Sequence, residues 1–435
     1  MQTIFLMRQI SFMSLAFVFL GTTVVQAEYV VVDTGQTACF GLDSQITCPD
    51  EAGSYYGQDA QYNGQEAAYT DTGNGTVTDA NTGLEWQETA DSNEDGTIDS
   101  SDKMSQSDGE SYCQDLLLAS QEDWRLPNIQ ALYSLIDFSG EDVSGQETGA
   151  GAQPFLNTNY FDFSYGDTSA GERLIDAQWA TTSNYVSNVM GNNAAMFGVN
   201  FADGRVKGYG PTNMFYIQCV RGDEDYGTNS LVDNGDGTIT DQASGLMWQE
   251  EDNGTGIEWP EALAGCESAT TGNHTDWRLP NAKELHSIVD YSRSPDATSS
   301  AALDAIFSAT ALTNEAGEAD YGFYWTSTTH KTSTGHGGNA VYIAFGRALG
   351  YLNAQWMDVH GAGAQRSAMK EKKDISELEQ SYQEAPTDQE GIMAIIHGPQ
   401  GDVVRSLNYV RCVRDADTDT GGVVSLAPIY LLLLR

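Results

Sequence analysis

The strongest constraint on the fold is an internal repeat: four sequence blocks occur twice in the same order. The repeated pairs are TVTDANTGLEWQ (76–87) with TITDQASGLMWQ (238–249), WRLPN (124–128) with WRLPN (277–281), WATTSNY (179–185) with YWTSTTH (324–330), and YIQCVR (216–221) with YVRCVR (409–414). The two copies of each block are separated by roughly the length of a domain. This spacing predicts tandem copies of one fold and not a short-period solenoid.

The repeat sets the domain boundaries that we predict for the 435 residues. Module 1 is expected at 69–222 and module 2 at 233–415, with an acidic, glycine-containing linker between them. Residues 28–68 form an N-terminal segment, and 416–435 form an acidic and then apolar tail. The length agrees, because a single hydrophobic core rarely serves more than about 250–300 residues.

The first 27 residues have the pattern of a secretory signal peptide. A short n-region ends at Arg8, an apolar run covers 10–20, and Val25 and Ala27 fit a cleavage site. A membrane anchor is the alternative, but the run is shorter than the roughly 20 residues that a spanning helix requires. We therefore expect an exported protein that is secreted, bound to the bacterial cell surface or periplasmic. The tail resembles a truncated sorting signal, and only this anchor would link the mature chain to a membrane.

Local patterns within each module predict an α+β fold. TVTD and LEWQ alternate in strand fashion around an Ala-Asn-Thr-Gly turn, so a β-hairpin with an inward-facing Trp is expected. After WRLP, Asn128 or Asn281 can cap a helix with apolar residues at i, i+3 and i+4, and Glu284 completes a capping box in module 2. SYCQDLLLAS (111–120) is expected to form another helix, and aromatic and β-branched runs predict strands before each final CVR.

The six cysteines predict disulfides, because an even number in an exported protein favours pairing. Each module has one helical cysteine near its start and one strand cysteine at its end, so pairing within the modules is the simplest arrangement. The predicted disulfides are Cys113–Cys219, Cys266–Cys412 and, in the N-terminal segment, Cys39–Cys48. A bond between Cys113 and Cys266 would contradict the two-module scheme.

The charge balance restricts the partners. With 62 Asp and Glu against 20 Lys and Arg, the formal net charge of −42 opposes binding to nucleic acid, and the sequence contains no basic patch. One explanation is solubility in a salty medium, where counterions screen repulsion over about 10 Å. The other is that some of the carboxylates hold Ca²⁺.

Residues 91–102 have the spacing of a calcium-binding loop, with oxygen ligands at positions 1, 3, 5, 9 and 12 and a glycine at position 6. The predicted ligands are the side chains of Asp91, Asn93, Asp95, Asp99 and Asp102 and the backbone carbonyl of Thr97. The last ligand is Asp where Glu is usual, and an acidic surface turn is the alternative. DNGDGTITD (233–241) also resembles a calcium turn, but a glycine-assisted hairpin explains it better.

The ordered blocks GDGTITD, TGLMWQ, WRLPN and CVR resemble the Lcl C-terminal domain family over both modules. That family is similar in turn to the C-type-lectin-like superfold, which includes formylglycine-generating enzymes. The resemblance implies two α+β modules, each with helices packed on small antiparallel sheets and an early helix tied to the last strand by a disulfide. It also implies bacterial surface adhesion, in one branch through sulfated glycosaminoglycans. The charge of −42 and the absence of a collagen-like stalk depart from that branch.

A glycan site would have to depend on aromatic faces, because the Glu-Pro-Asn and Gln-Pro-Asp triplets of sugar-binding C-type lectins do not occur. The candidate ligand-binding residues are Trp179, Tyr185, Tyr209, Trp325, Tyr351 and Trp356. The alternative places these rings in the core. For WRLP itself, a core Trp and an ion-paired Arg are the favoured interpretation.

Enzymatic patterns are weak. The sequence contains no HExxH, GxSxG or phosphate-binding glycine loop, and its six histidines are scattered. We therefore expect a non-enzymatic adhesin or polysaccharide-binding protein that contacts an extracellular glycan or a host or environmental surface polymer. A carbohydrate-active or formylglycine-generating-like enzyme is the alternative.

Overall fold

The computed structural model describes residues 29–416, which form a mixed α/β protein with more strand than helix. The predicted signal peptide and nearly all of the predicted tail lie outside this range. Within it, no helix is both long and apolar enough to cross a lipid bilayer. The α-helices are α1 (Gln106–Asp115), α2 (Ile129–Ser134), α3 (Trp259–Glu267), α4 (Ala282–Ser287) and α5 (Pro295–Thr298).

Ten strands belong to the N-terminal segment and module 1. They are β1 (Cys39–Phe40), β2 (Gln45–Ile46), β3 (Tyr69–Asp71), β4 (Thr76–Asp79), β5 (Leu84–Gln87), β6 (Gln178–Trp179), β7 (Asn184–Val189), β8 (Asn193–Asn200), β9 (Arg205–Tyr209) and β10 (Val220–Gly222).

The remaining strands belong to module 2, the first of them beginning in the linker. They are β11 (Leu231–Asp233), β12 (Thr238–Asp241), β13 (Leu246–Gln249), β14 (Ala311–Thr313), β15 (Ala319–Tyr321), β16 (Phe323–His330), β17 (Asn339–Ala344), β18 (Leu349–Leu352), β19 (Gln355–Asp358), β20 (Gln365–Met369), β21 (Tyr382–Pro386), β22 (Met393–His397), β23 (Asp402–Val403) and β24 (Val413–Asp415).

Each module has its own four-stranded antiparallel sheet, in the order β10-β5-β4-β3 in module 1 and β11-β12-β13-β24 in module 2. The last strand of each module pairs with the strand of the LxWQ block, through Val220 opposite Trp86 and Val413 opposite Trp248. Both tryptophans are fully buried, which confirms the predicted hairpins with inward-facing Trp. The 233–241 segment is also a hairpin, between β11 and β12.

The helices after WRLPN begin where the caps were predicted. The Asn128 side chain accepts a hydrogen bond from Ala131 N, and Asn281 and Glu284 form a reciprocal capping box. The helix expected at 111–120 is wrong at both ends, because α1 begins at Gln106 behind its Ser105 cap and ends at Asp115. Beyond it Leu116 and Leu118 are partly buried against the hydrophobic cluster around Cys113, whereas Leu117 is 67 % exposed.

The two modules meet in a seven-stranded sheet of order β16-β17-β20-β9-β8-β6, with β7 also paired to β8. Module 1 contributes β9 and module 2 contributes β20 at the junction, where Val206 lies opposite Gln365. Helices α2 and α4 pack beside each other, and the Tyr133 ring stacks on His286 at a centroid distance of 4.1 Å. A hydrophobic cluster extends through both modules. The outer sheets are separate, as expected, but the central sheet is shared by the two modules, which was not expected. The physical reason is that pairing β9 with β20 covers two strand edges that would otherwise be exposed.

The N-terminal segment lies between the modules. Gln36 Nε2 donates to Phe138 O in module 1 and to Thr329 O in module 2. Gln36 Oε1 accepts a hydrogen bond from Thr329 N. Lys283 Nζ donates to Asp33 O and, across the junction, to Ser134 O. The segment thus fastens the two modules together.

The three disulfides are Cys39–Cys48, Cys113–Cys219 and Cys266–Cys412, and no described cysteine is free. This is the pairing predicted from the repeat. In each module the bond joins the early helix to the residue that precedes the last strand.

Module 2 contains an additional five-stranded sheet of order β19-β18-β23-β22-β21. The charged residues that follow β20 form a 3₁₀ turn (Ile375–Glu377) and then strand β21 at the edge of this sheet. Trp356 Nε1 on one edge strand donates to Pro386 O at the end of the other, at 2.8 Å. The sheet is therefore curved enough for its edges to approach each other.

Candidate functional site

The duplicated WRLPN block connects the start of each module to its end. The Trp124 and Trp277 rings are buried, and each Nε1 donates to a carbonyl six residues upstream. The next residue pairs with the final strand, through Arg125 with Val220 and Arg278 with Val413. The repeat therefore recurs because each module uses it to close its own fold.

The arginine of WRLPN has a different partner in each module. Arg278 forms a bidentate ion pair with Glu284, at 2.6 and 2.7 Å, as predicted for this residue. In module 1 Ala131 holds the position of Glu284, and Arg125 donates instead to the backbone carbonyls of Gly222 and Asp223. The ion-pair prediction is therefore confirmed for module 2, whereas these carbonyls take the place of the carboxylate in module 1.

The loop at 91–102 is closed by hydrogen bonds to its own backbone. Asp95 N donates to Asp91 Oδ1 at 3.2 Å and to Asn93 Oδ1 at 2.9 Å, so these two oxygens face the same point. Gly96 N donates to Asp91 Oδ2, and Thr97 N donates to Asp95 Oδ1. Gly96 has φ of +87°, the backbone that position 6 of a calcium loop requires.

The predicted ligands separate into two groups. Asp91, Asn93 and Asp95 surround the open side of the loop, whereas Asp102 is fully buried beneath it and accepts bonds from Ser92 N and Asp99 N. Asp99 caps the 3₁₀ turn Ser100–Asp102. Among residues 29–416, no three His, Cys, Asp or Glu side chains converge closely enough to hold a metal ion. The side-chain oxygens of Asp91, Asn93 and Asp95 accept backbone N–H bonds, and an oxygen that accepts one such bond keeps a further lone pair for a cation.

Three of the six aromatic candidates are core residues, so their proposed role in ligand binding is wrong. Trp179 and Trp325 are fully buried, and Tyr185 is buried with its hydroxyl donating to Asp358 at 2.8 Å. Trp179 packs edge-on against Phe201, with ring centroids 4.9 Å apart. The cause is the position of these residues on or beside strands of the central sheet, where the side chains point into the shared interior.

The other three candidates are partly accessible. Tyr209 lies at the end of β9 and packs against Phe215. Tyr351 and Trp356 are directly opposite each other on β18 and β19, with ring centroids 5.1 Å apart and planes at 57°. Both rings of this pair are half-buried, so one side of the hairpin presents aromatic surface to solvent.

A buried charge network at the module junction was not predicted. Asp142 contacts Arg205 at 2.8 Å, and Asp203 contacts Arg205 at 3.2 Å and Lys207 at 3.1 Å. Burial raises the pKa of Asp142, but the charges of Arg205 and His330 outweigh this effect and hold that pKa at about 2. The sequence does contain one signal for this network. Arg205 and Lys207 are two residues apart on β9, with Val206 between them, and this spacing places both cations on one face of the sheet.

The histidines near the junction also have partners that the sequence did not reveal. His360 Nε2 lies 2.7 Å from Asp402, which also pairs with Arg366 at 2.6 Å. His330 Nε2 bonds to Asp203 O at 2.8 Å. Burial lowers the pKa of both histidines to about 4, so both are neutral near pH 7. The network consists of paired charges and neutral rings that fix the junction in place.

Comparison with known proteins agrees with the repeat. The Lcl C-terminal domain model matches residues 75–221 and again residues 237–360. No curated protein matches the sequence significantly. The second match ends before β20 and β24, although these strands complete module 2 in the structure. Because the two matches cover more than half of the chain, the protein belongs to the Lcl C-terminal domain family.

Proposed function

We propose that the protein is an exported adhesin or polysaccharide-binding protein of a bacterial surface, and that it acts by binding and not by catalysis. Its family supports secretion or surface exposure. We also propose that each module is C-type-lectin-like, which the disulfide from early helix to last strand supports. The net charge of −42 favours a neutral or basic polymer over a polyanion such as a sulfated glycan.

The observation that best supports glycan binding is the Tyr351–Trp356 pair. Two half-buried rings on one hairpin can stack on a sugar ring, while the polar groups beside them orient its hydroxyls. The hydrogen bond from Trp356 Nε1 to Pro386 O fixes the indole, so little side-chain entropy is lost on binding.

A glycan array with and without a chelator tests this function. Saturable binding without a product is expected, and it should weaken in Tyr351→Ala and in Trp356→Phe. Tyr382→Ala is the matched control, because this half-buried ring belongs to the same sheet but stacks on His397. Turnover of a carbohydrate, or of a peptide cysteine to formylglycine, would favour the enzyme alternative instead.

The proposal includes Ca²⁺ in the 91–102 loop. The side chains of Asp91, Asn93 and Asp95 and the carbonyl of Thr97 would hold the ion, and its charge would offset the repulsion between neighbouring carboxylates. Extracellular sites of this kind bind Ca²⁺ with dissociation constants of roughly 10⁻⁴–10⁻³ M.

Thermal unfolding at millimolar Ca²⁺ tests the loop. The melting temperature should rise with Ca²⁺ in the wild type and should not rise in Asp91→Asn. Asp236→Asn, in the look-alike turn between β11 and β12, is the control and should keep the response. An unchanged melting temperature in the wild type, or an equal rise in Asp91→Asn, would eliminate this site.

A further inference from the structure

Module 1 has an open groove of about 310 Å³ beside its WRLPN block. We call it the module 1 groove. It is lined by Glu110, Gln114, Arg125, Leu126, Asn128, Thr182 and Glu224. The groove lies between α1 and the start of α2, and Thr182 and Gln114 are exposed in it.

The repeat identifies the equivalent place in module 2. Counting from the two helical cysteines and the two WRLPN blocks gives the matching residues. Leu263 matches Glu110, Glu267 matches Gln114, and Arg278 matches Arg125. Leu279 matches Leu126, Asn281 matches Asn128, and Ser327 matches Thr182. The pairing of Thr182 with Ser327 is supported by the backbone, because each donates its N–H to the proline carbonyl of its own WRLPN block, at 2.9 and 2.8 Å.

In module 2 this place is filled by residues 57–62 of the N-terminal segment, here called the Gly57–Tyr62 turn. The Tyr62 ring lies over the Arg278 guanidinium, 5.5 Å from ring centroid to Cζ, and its hydroxyl donates to Glu267 Oε1. Gly57 approaches so closely that an added Cβ would lie 2.7 Å from Glu267 Oε1. The turn is thus closely packed and contacts two of the equivalent groove positions.

The same turn inserts a carboxylate beside helix α4. The Asp59 side chain accepts hydrogen bonds from the hydroxyls of Thr34 and Thr328, and Thr328 Oγ1 in turn accepts from Ala282 N at 2.9 Å. The burial pattern reflects this packing, since Ser327 is 1 % exposed whereas Thr182 is an exposed residue. The fold therefore contains one copy of this groove with an occupant and one copy that is open.

The open copy keeps the groups that would receive a tyrosine. Arg125 is held by two backbone carbonyls, so its guanidinium plane is fixed without a carboxylate partner at the position of Glu284. Gln114 replaces Glu267 and retains an oxygen that can accept from a phenol. Glu110 replaces the apolar Leu263 and lines the groove together with Glu224, which adds two negative charges. These charges favour an occupant with a basic residue beside its tyrosine.

We propose that the module 1 groove binds a tyrosine-bearing turn of another protein, with the ring on Arg125, the hydroxyl on Gln114 and a basic flanking residue facing Glu110 and Glu224. The occupant would take the place that the Gly57–Tyr62 turn takes in module 2. This proposal does not depend on glycan binding at Tyr351 and Trp356, because these two residues lie on the five-stranded sheet of module 2 and the groove lies in module 1.

Titration of labelled peptides into the full-length exported protein tests the proposal by fluorescence polarisation. The probe is GSYYGQDAQYNG, the sequence of residues 53–64, with Lys in place of the Asn that follows its last Tyr. The control peptides retain the Asn or replace the Tyr of QYN by Ala. We expect saturable binding with a dissociation constant on the order of 1 mM or tighter, and about tenfold weaker binding without the tyrosine. The peptide that retains the Asn should bind more weakly than the Lys peptide.

Two protein variants assign the binding to the groove. Thr182→Trp should block it sterically, and Gln114→Ala should weaken it, whereas Glu122→Ala on the exposed surface nearby is the control and should bind normally. Circular dichroism and melting temperature establish that each variant is folded. Absence of saturable binding, binding unaffected by Thr182→Trp, or a groove that takes up neutral oligosaccharides and not the peptide would each overturn the proposal.

Discussion

Removal of the module disulfides tests the role assigned to each cysteine pair. Cys113 and Cys219 close a loop of 106 residues, Cys266 and Cys412 a loop of 146, and Cys39 and Cys48 a loop of only 9. A cross-link stabilises mainly by restricting the unfolded chain, and the effect grows with the logarithm of loop length. The three bonds should therefore contribute unequally to the free energy of unfolding.

The chain-entropy relation gives the expected magnitudes. Loops of these lengths correspond to about 4.8 kcal/mol for Cys113–Cys219, about 5 kcal/mol for Cys266–Cys412 and about 2.6 kcal/mol for Cys39–Cys48. Replacing both cysteines of a pair by Ala avoids leaving a buried hydroxyl without a partner. The two module variants should thus lose similar stability, and each should lose about 2 kcal/mol more than the Cys39/Cys48 variant.

Urea unfolding followed by tryptophan fluorescence measures these differences, and the Cys39→Ala/Cys48→Ala double variant is the matched control. The slope of the transition must be compared as well, because an altered slope would indicate a changed unfolded state. A Cys39/Cys48 variant that loses as much stability as the module variants would refute the reasoning. So would a module variant that loses none.

Three further variants test two buried titratable groups and one loop glycine. Burial raises the pKa of Asp59 to about 7 from its ordinary 3.8, so its contribution is fully present below pH 4 and is lost as pH rises through 7. Asp59→Asn should therefore gain stability relative to the wild type at pH 8 but not at pH 4, as measured by urea unfolding, and an equal change at both would argue against this cause. Burial lowers the pKa of His286 to about 3 from 6.5, so stability is lost as pH falls from 6.5 towards 3. His286→Phe, which preserves the stacking on Tyr133, should reduce that loss in melting temperatures taken between pH 7 and 4, and an unchanged acid profile would contradict the assignment. Gly96→Ala should destabilise the 91–102 loop by about 1 kcal/mol, because φ of +87° is strained for any residue with a Cβ, and calorimetry that finds no loss would show that the loop relaxes.

Much of the local structure was predictable, because the repeat records it twice. The hairpins around Trp86 and Trp248, the caps at Asn128 and Asn281 and the two module disulfides follow from residue types at fixed spacings. These features depend on interactions within a module, where equivalent positions constrain each other. They could therefore be derived without knowledge of how the modules pack.

The relation between the modules was not predictable. The pairing of β9 with β20 joins Val206 to Gln365, and no local periodicity specifies a contact across that distance in the chain. The packing of the N-terminal segment against the modules also gave no signal, since the role of Gln36 and Tyr62 depends on surfaces that only the folded modules create. Of the candidate site, the sequence left open which aromatic rings lie in the core, for the same reason: Trp179 and Trp325 are covered by the shared interior of the two modules.

The central claim is that two copies of one domain fold as a single body, joined by the β9–β20 pairing, the buried charges around Arg205 and the N-terminal segment. Differential scanning calorimetry of the exported protein with its disulfides intact tests this most directly. We predict one unfolding transition whose calorimetric enthalpy equals its van't Hoff enthalpy. Two separable transitions, one for each module, would contradict the account.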